Sequence, residues 1–308
     1  MHKICRFVLS NIINNINMAA SKILVPIGFS KQSIVALGQA FNLARIKKSD
    51  VVLLSVIEEQ SMIQSLFLDD NSHELQKKVK VKLDDFAKEY GDKYGVEVDT
   101  MVAKGKVYEQ VNEVAEMIAA NLIVMGTNGT PEGMKKIIGS NAERVVRLAH
   151  CPVITIKGKS HRVGCENIIL PLDLEKQTKE KVTYALEYAR YWNATVRIVS
   201  VVLRDNNEVR EKLIKNINQV KQFISDAGVG CTAELLEGDK KQTLGDFVFD
   251  YEKKFDADLI MIMTKKEELS LSTNISVTAR YIINNSDIPV MSIRPKKVKH
   301  LTGPTTSF

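Results

Sequence analysis

The fold of this chain is decided by the stretch Leu122-Ile-Val-Met-Gly-Thr-Asn-Gly-Thr-Pro-Glu-Gly-Met-Lys-Lys-Ile-Ile-Gly-Ser-Asn141. Its four leading apolar residues predict a buried strand. The glycines follow the pattern Gly-x2-Gly-x9-Gly-Ser, and the residues after Asn141 predict a helix. Glycine lets backbone N–H groups approach a ligand closely, and a helix N-terminus adds free donors and partial positive charge. The stretch therefore predicts a strand, a phosphate-binding loop and a helix start in direct succession.

The chain contains the same unit twice. Lys22-Ile-Leu-Val-Pro-Ile-Gly28 matches Asn167-Ile-Ile-Leu-Pro-Leu-Asp173, and Cys151-Pro-Val-Ile-Thr-Ile156 matches Ile288-Pro-Val-Met-Ser-Ile293. The second of these matches has an offset of 137 residues. Asn121–Met125 matches Asp258–Ile262 with the same offset. A period this long indicates duplicated domains rather than a solenoid.

Each copy alternates short aliphatic runs with helical stretches, which predicts an α/β domain with a parallel sheet covered on both faces. In the first copy the predicted strands are residues 22–27, 50–56, 97–103, 122–126 and 153–157. In the second copy they are residues 167–171, 195–201, 231–236, 258–263 and 290–294. Ligands in such folds bind beyond the carboxyl ends of the strands, where the strand order switches.

We predict domains at residues 21–157 and 167–295, joined by a polar linker at residues 158–166. Residues 1–20 are interpreted as a disordered extension or the product of a mis-called start codon, with Met1 and Met18 as alternative starts. Residues 296–308 are expected to form a basic, flexible tail.

The composition of the 308 residues is that of a globular protein, with a formal charge of +6. No apolar run of membrane-spanning length occurs, so a membrane span is not expected. The four cysteines form no CxxC pair, so we expect neither a metal site nor a disulfide framework. Such cysteine usage is typical of proteins of the reducing cytoplasm. The basic tail lacks interleaved aromatic residues, so nucleic-acid binding is not expected.

The glycine pattern, with the repeated strands around it, resembles the universal stress protein family over about residues 21–294. The resemblance implies two flavodoxin-like (adenine nucleotide alpha hydrolase-like) domains, each with a five-stranded parallel sheet. It also implies ATP or AMP binding, as in some members, and dimerisation through the last strand. For a tandem member we therefore expect the two domains to pair within the chain as a pseudo-dimer, and a homodimer of whole chains stays open.

Each copy departs from the family pattern in a different place. The first strand of nucleotide-binding members usually ends in an acid, and the first copy has Gly28 there, whereas the second copy keeps Asp173. The second copy has lost the loop instead: Gly126, Gly129, Gly139 and Ser140 correspond to Met263, Lys266, Ser276 and Val277. We therefore expect no nucleotide in the second copy. Asp173 is interpreted as the cap of a helix that begins near Glu175.

The resemblance implies that a nucleotide in the first copy contacts the glycine loop, the end of the first strand and an apolar residue beside the base. Losing one hydrogen-bonding acid costs about 1–3 kcal/mol, which weakens binding about ten- to hundredfold without abolishing it. The ligand is expected to be ATP or AMP, with or without Mg²⁺. The implied nucleotide-binding residues are Pro26, Ile27, Gly28, Val56, Met125, Gly126, Gly129, Gly139, Ser140 and Asn141.

The leading hypothesis is a cytoplasmic, non-catalytic regulatory protein of the stress response. Its first domain binds an adenine nucleotide, its second domain is a structural partner, and its protein partner is not identified by the sequence. One alternative is a ligand-free interaction scaffold in which the loop is a relic. The other is a slow ATPase, which is ranked last because no general base or water-positioning residue is evident.

Overall fold

A computed structural model describes residues 21–58, 72–127, 139–157, 163–174, 178–202, 206–238, 242–264 and 275–295. The first half contains β1 (Lys22–Pro26), α1 (Lys31–Lys47), β2 (Asp50–Ile57), α2 (Ser72–Tyr94), β3 (Val98–Lys104), α3 (Val107–Met117), β4 (Leu122–Gly126), α4 (Ser140–Leu148) and β5 (Val153–Ile156). The second half contains β6 (Asn167–Pro171), α5 (Thr178–Trp192), β7 (Thr195–Val202), α6 (Asn207–Asp226), β8 (Cys231–Glu237), α7 (Leu244–Phe255), β9 (Leu259–Met263), α8 (Val277–Asn285) and β10 (Val290–Ile293).

The ten strands form one continuous sheet in the order β3-β2-β1-β4-β5-β10-β9-β6-β7-β8. Within each half all neighbouring strands are parallel. This confirms the predicted pair of five-stranded parallel sheets. The strand order reverses between β1 and β4 in the first half, and between β6 and β9 in the second.

Helices cover both faces of the sheet, which explains why the central strands are apolar on both sides. Ile23, Leu24 and Val25 of β1 are all completely buried. The core on one face contains buried residues of α1, α2, α5 and α6. The core on the other face contains buried residues of α3, α4, α7 and α8. Each core therefore runs through both halves of the molecule.

The two halves join where β5 pairs with β10 in antiparallel fashion. Ile154 lies opposite Met291, and these two residues occupy equivalent positions in the two copies. The pairing therefore has a pseudo-twofold axis between them, and the predicted pseudo-dimer is confirmed. The domain boundaries proposed from the sequence remain a prediction.

Polar side chains also cross the junction. The Lys47 ammonium lies 2.8 Å from a Glu187 carboxylate oxygen and within 5 Å of the ring centroids of Tyr188 and Tyr191. The Lys47 side chain is 7% exposed and that of Glu187 is 39% exposed, so the pair is partly shielded from water. It ties α1 of the first half to α5 of the second.

In the described residues, no helix combines the length and the apolar composition that crossing a membrane requires.

Candidate functional site

A cavity of about 230 Å³ opens at the carboxyl ends of β1, β2 and β4, beside the point where the strand order reverses. This volume approaches the lower end of the roughly 300–1,000 Å³ range of small-molecule sites. Nine of the ten residues implied by the sequence line it, and the tenth, Gly129, lies outside the described residues. The lining residues are Pro26, Ile27, Gly28, Ser30, Ser33, Leu54, Val56, Val107, Met125, Gly126, Gly139, Ser140, Asn141 and Ala142.

Three helices begin at this cavity. Ser30 is the N-cap of α1, Val107 is the first residue of α3, and Gly139 is the N-cap of α4. All three residues line the cavity. The first turn of each helix carries N–H groups that have no partner within the helix, together with a partial positive charge, so their convergence favours an anionic ligand without any basic side chain. At α1 one of these groups, the Ser33 N–H, is already bonded to the Ser30 side chain.

The start of α4 differs from its counterpart in the second copy. Gly139 has no side chain with which to cap α4, whereas the equivalent Ser276 caps α8 by accepting a hydrogen bond from the N–H of Ala279 at 3.2 Å. The next residue in the second copy, Val277, is 87% exposed. The start of α4 therefore lacks the side-chain cap that the start of α8 has.

Gly126 is required by the packing of α1 as well as by its place at the cavity. A Cβ atom at this position would lie 2.7 Å from the backbone carbon and oxygen of Gln32 in the first turn of α1. Such a contact cannot be relieved by moving a side chain. This close helix approach gives a second reason for the glycine, which the sequence alone did not reveal.

The loop between β1 and α1 carries Gly28 and Phe29. A Cβ atom at Gly28 would meet no atom within 4 Å. Phe29 has a φ of +57°, which is strained for a bulky residue. Its ring packs on Phe86 at a centroid distance of 5.6 Å, and the Lys82 ammonium lies 4.4 Å from the ring centroid. These contacts with α2 hold the loop in its strained conformation.

Several charged groups contact residues that line the cavity or lie next to them in the sequence. The Asn141 amide donates a hydrogen bond to a Glu58 carboxylate oxygen at 3.3 Å. At the start of α3, Glu109 accepts hydrogen bonds from the Tyr108 hydroxyl and the Lys106 ammonium, which lower the pKa of Glu109. The Arg144 guanidinium lies 4.8 Å from the Tyr108 ring centroid. Carboxylates and cations thus both lie close to lining residues in contact or in sequence.

Sequence reasoning missed five of the lining residues as site residues: Ser30, Ser33, Leu54, Val107 and Ala142. Ser30 and Ser33 were identifiable only as short polar residues at a helix start. The Ser30 side chain does cap α1, accepting from the Ser33 N–H at 3.2 Å. These serines lie at the cavity because β1 and β4 are neighbours in the sheet. Neither stretch of sequence shows this pairing by itself.

In the second copy, the helix expected near Glu175 begins at Thr178, and residues 175–177 lie outside the described ones. The interpretation of Asp173 as its cap remains untested. The backbone oxygen of Asp173 accepts a hydrogen bond from the Asn216 amide at 2.9 Å.

Residues that bind metals or act as nucleophiles do not cluster in the described part of the chain. No group of three His, Cys, Asp or Glu residues with metal-binding geometry occurs there. Burial raises the pKa of Cys151 to about 12 and that of Cys231 to about 11, which keeps both thiols protonated and unreactive near neutral pH.

Comparison with known proteins places this geometry in a family. A model of the universal stress protein family matches residues 20–157. The chain is 30% identical to the universal stress protein MJ0531 of Methanocaldococcus jannaschii over 161 residues, which are 49% of this chain and 90% of that protein. The chain belongs to the universal stress protein family. It is also 29% identical to the universal stress protein YxiE of Bacillus subtilis over 147 residues, or 44% of this chain and 99% of that protein.

Two solved structures share the complete two-half arrangement of this universal stress protein. One is a universal stress protein from Archaeoglobus fulgidus, with a TM-score of 0.72 at 17% identity over 90% of this chain and 99% of that one. The other is a putative universal stress protein from Pseudomonas aeruginosa, with a TM-score of 0.67 at 20% identity over 90% and 94% of the two chains. At these identities the likeness establishes the fold alone.

Proposed function

We propose that the first copy binds one adenine nucleotide, ATP or AMP, in the cavity at the ends of β1 and β4. The observation that carries this proposal is the convergence of the starts of α1, α3 and α4 on one cavity. An arrangement of three helix N-termini is suited to a ligand with several negative charges, and phosphate groups meet that description.

The cavity offers different chemistry at its two ends. Gly139, Ser140 and Asn141 are assigned to the phosphate groups because they begin α4. Val56, with Pro26 and Ile27, supplies an apolar surface suited to the flat face of adenine. Gly28 lies at the end of β1 beside this surface and is assigned to the ribose.

Any Mg²⁺ would arrive with the nucleotide. Mg²⁺ is usually held by one or two carboxylates together with substrate phosphates. The family acid is replaced by Gly28, and Glu58 is a carboxylate already in contact with the cavity residue Asn141. The residues present therefore fit an ion held chiefly by phosphate oxygens, with Glu58 as the candidate protein ligand.

The whole protein is proposed to be a cytoplasmic regulator of the stress response rather than an enzyme. The second copy acts as a structural partner, because its helix start is capped by Ser276 and its sequence lacks the glycine loop. The strands β3 and β8 form the two outer edges of the described sheet, and they are the candidate surfaces for association with another chain.

Equilibrium dialysis with labelled ATP tests the proposal, with Gly28→Asp as the informative variant. The added side chain enters open space and restores the family acid, so we expect tighter binding than in the parent chain, especially with Mg²⁺. No ATP binding by either chain would favour the ligand-free scaffold. Phosphate release over hours by the parent chain would favour the slow ATPase.

A further inference from the structure

Helix α4 connects the cavity with the junction between the two halves. Its N-cap and first three residues line the cavity. The next residue, Glu143, forms an ion pair with Arg280 of the second copy, with 2.8 Å between nitrogen and oxygen. At the other end of α4, Arg294 donates a hydrogen bond to the Leu148 backbone oxygen at 2.8 Å. The second copy therefore contacts α4 at both ends.

Glu143 and Arg280 are equivalent residues of the two copies. They differ by the same offset of 137 positions that relates Ile154 to Met291 at the centre of the junction. A symmetric pairing of two identical halves would place like charges against each other at this point. The fused chain carries opposite charges instead, so this contact is specific to the pairing of its two unlike halves.

The charge of Glu143 has two opposite effects at the start of α4. A carboxylate in the first turn stabilises the helix by interacting with its positive end. The same carboxylate disfavours a phosphate bound at that end, because like charges repel each other. Arg280 neutralises this carboxylate from the second copy. The side chains are 30% and 48% exposed, so the pair contributes little to stability by itself.

We propose that Arg280 is a positioning and electrostatic residue of the nucleotide site, supplied by the second copy, which screens Glu143 from the phosphates. This inference rests on the proposed function. Other charged groups near α3 and α4 are Glu58, Arg144 and the Lys106–Glu109 pair of the first copy, and Arg294 of the second copy contacts the far end of α4. The second copy thus influences the affinity of a site that is lined by residues of the first copy.

Four full-length chains test this inference: the parent, Arg280→Gln, Glu143→Gln and the double variant. We expect Arg280→Gln to weaken ATP binding about two- to fivefold at low ionic strength, the range expected for loss of one exposed ion pair. Glu143→Gln should bind ATP at least as tightly as the parent. In the double variant both charges are gone, so ATP affinity should return to about that of the parent.

Two further measurements separate screening from a general structural effect. Binding of adenosine, which has no phosphates, should be equal in the parent and Arg280→Gln. The loss of ATP affinity should shrink as the salt concentration rises. Arg210→Gln is the matched control, because Arg210 also forms an ion pair with a carboxylate, that of Glu237, but within the second copy. This control should bind ATP like the parent.

The outcomes distinguish this inference from the proposed function. If the parent chain binds no ATP, both the proposed function and the inference about Arg280 are wrong. A parent chain that binds ATP, with Arg280→Gln equally tight, overturns the inference alone. The inference also falls if the double variant binds ATP as weakly as Arg280→Gln, or if adenosine binding falls in parallel.

Discussion

At the scale of single residues, two glycines of the cavity have different physical roles. Gly126 lies against the backbone of Gln32, whereas Gly28 faces open space. Gly126→Ala should therefore destabilise the protein by about 1–3 kcal/mol, the usual cost of overpacking. Gly28→Ala is the control, and its stability should be unchanged or raised by up to about 1 kcal/mol. Urea unfolding of both variants measures the difference, and equal stabilities would contradict the close packing of α1 on β4.

Glu252 gives the protein a pH-dependent stability. Burial, followed by the nearby Asp287, raises the pKa of Glu252 from 4.5 to about 7. The folded protein therefore holds this proton more tightly than the unfolded chain. Its contribution to stability is greatest below about pH 4.5 and is lost as the pH rises to about 7. After allowance for solvent screening, we expect a loss on the order of 1–2 kcal/mol.

Glu252→Gln isolates this effect because glutamine does not titrate. Between pH 5 and pH 8 the parent should lose stability relative to the variant, as measured by denaturant unfolding at each pH. A constant difference in stability across this range would show that Glu252 does not titrate there.

At the scale of elements, the two copies differ at the start of α4 and of its counterpart α8, because only α8 has a side-chain cap. Gly139→Ser introduces the residue that caps α8 in the second copy. We expect this variant to gain a few tenths of a kcal/mol in stability and to bind ATP more weakly, because its side chain competes for the N–H groups assigned to phosphate. Calorimetric titration and thermal unfolding provide the two readouts.

The reciprocal variant, Ser276→Gly, is the matched control. It should lose a few tenths of a kcal/mol in stability without changing ATP binding. If Gly139→Ser bound ATP as tightly as the parent, the start of α4 would not be the phosphate end of the site.

Most elements were predictable from the sequence because they depend on local patterns. Uninterrupted apolar runs such as Ile23–Val25 identified the buried strands. The contribution of Ser30 to the cavity was not predictable, because it depends on which strands become neighbours in the sheet. The strained backbone of Phe29 depends on its packing against α2, which lies more than forty residues further along the chain. The open end of α4 was partly predictable, since glycine replaces a capping serine there.

At the scale of the whole molecule, the antiparallel pairing of β5 with β10 makes the two halves one sheet. The partly shielded Lys47–Glu187 pair and the contacts at both ends of α4 also cross between the halves. We expect that cutting the full chain at a protease site inserted within residues 158–162 will leave the two halves associated at micromolar concentration. Analytical ultracentrifugation of the cut protein measures this, and two separate monomeric species would contradict the pseudo-dimer.

The central claim is that two family domains form one sheet and that only the first retains a nucleotide site. Isothermal titration calorimetry of the purified full chain with ATP, after removal of any copurified nucleotide, tests it most directly. We predict one binding site per chain, which is lost or weakened in Gly139→Ser and unaffected in Ser276→Gly. Two equivalent sites per chain, or one site that responds to Ser276→Gly instead, would contradict this account.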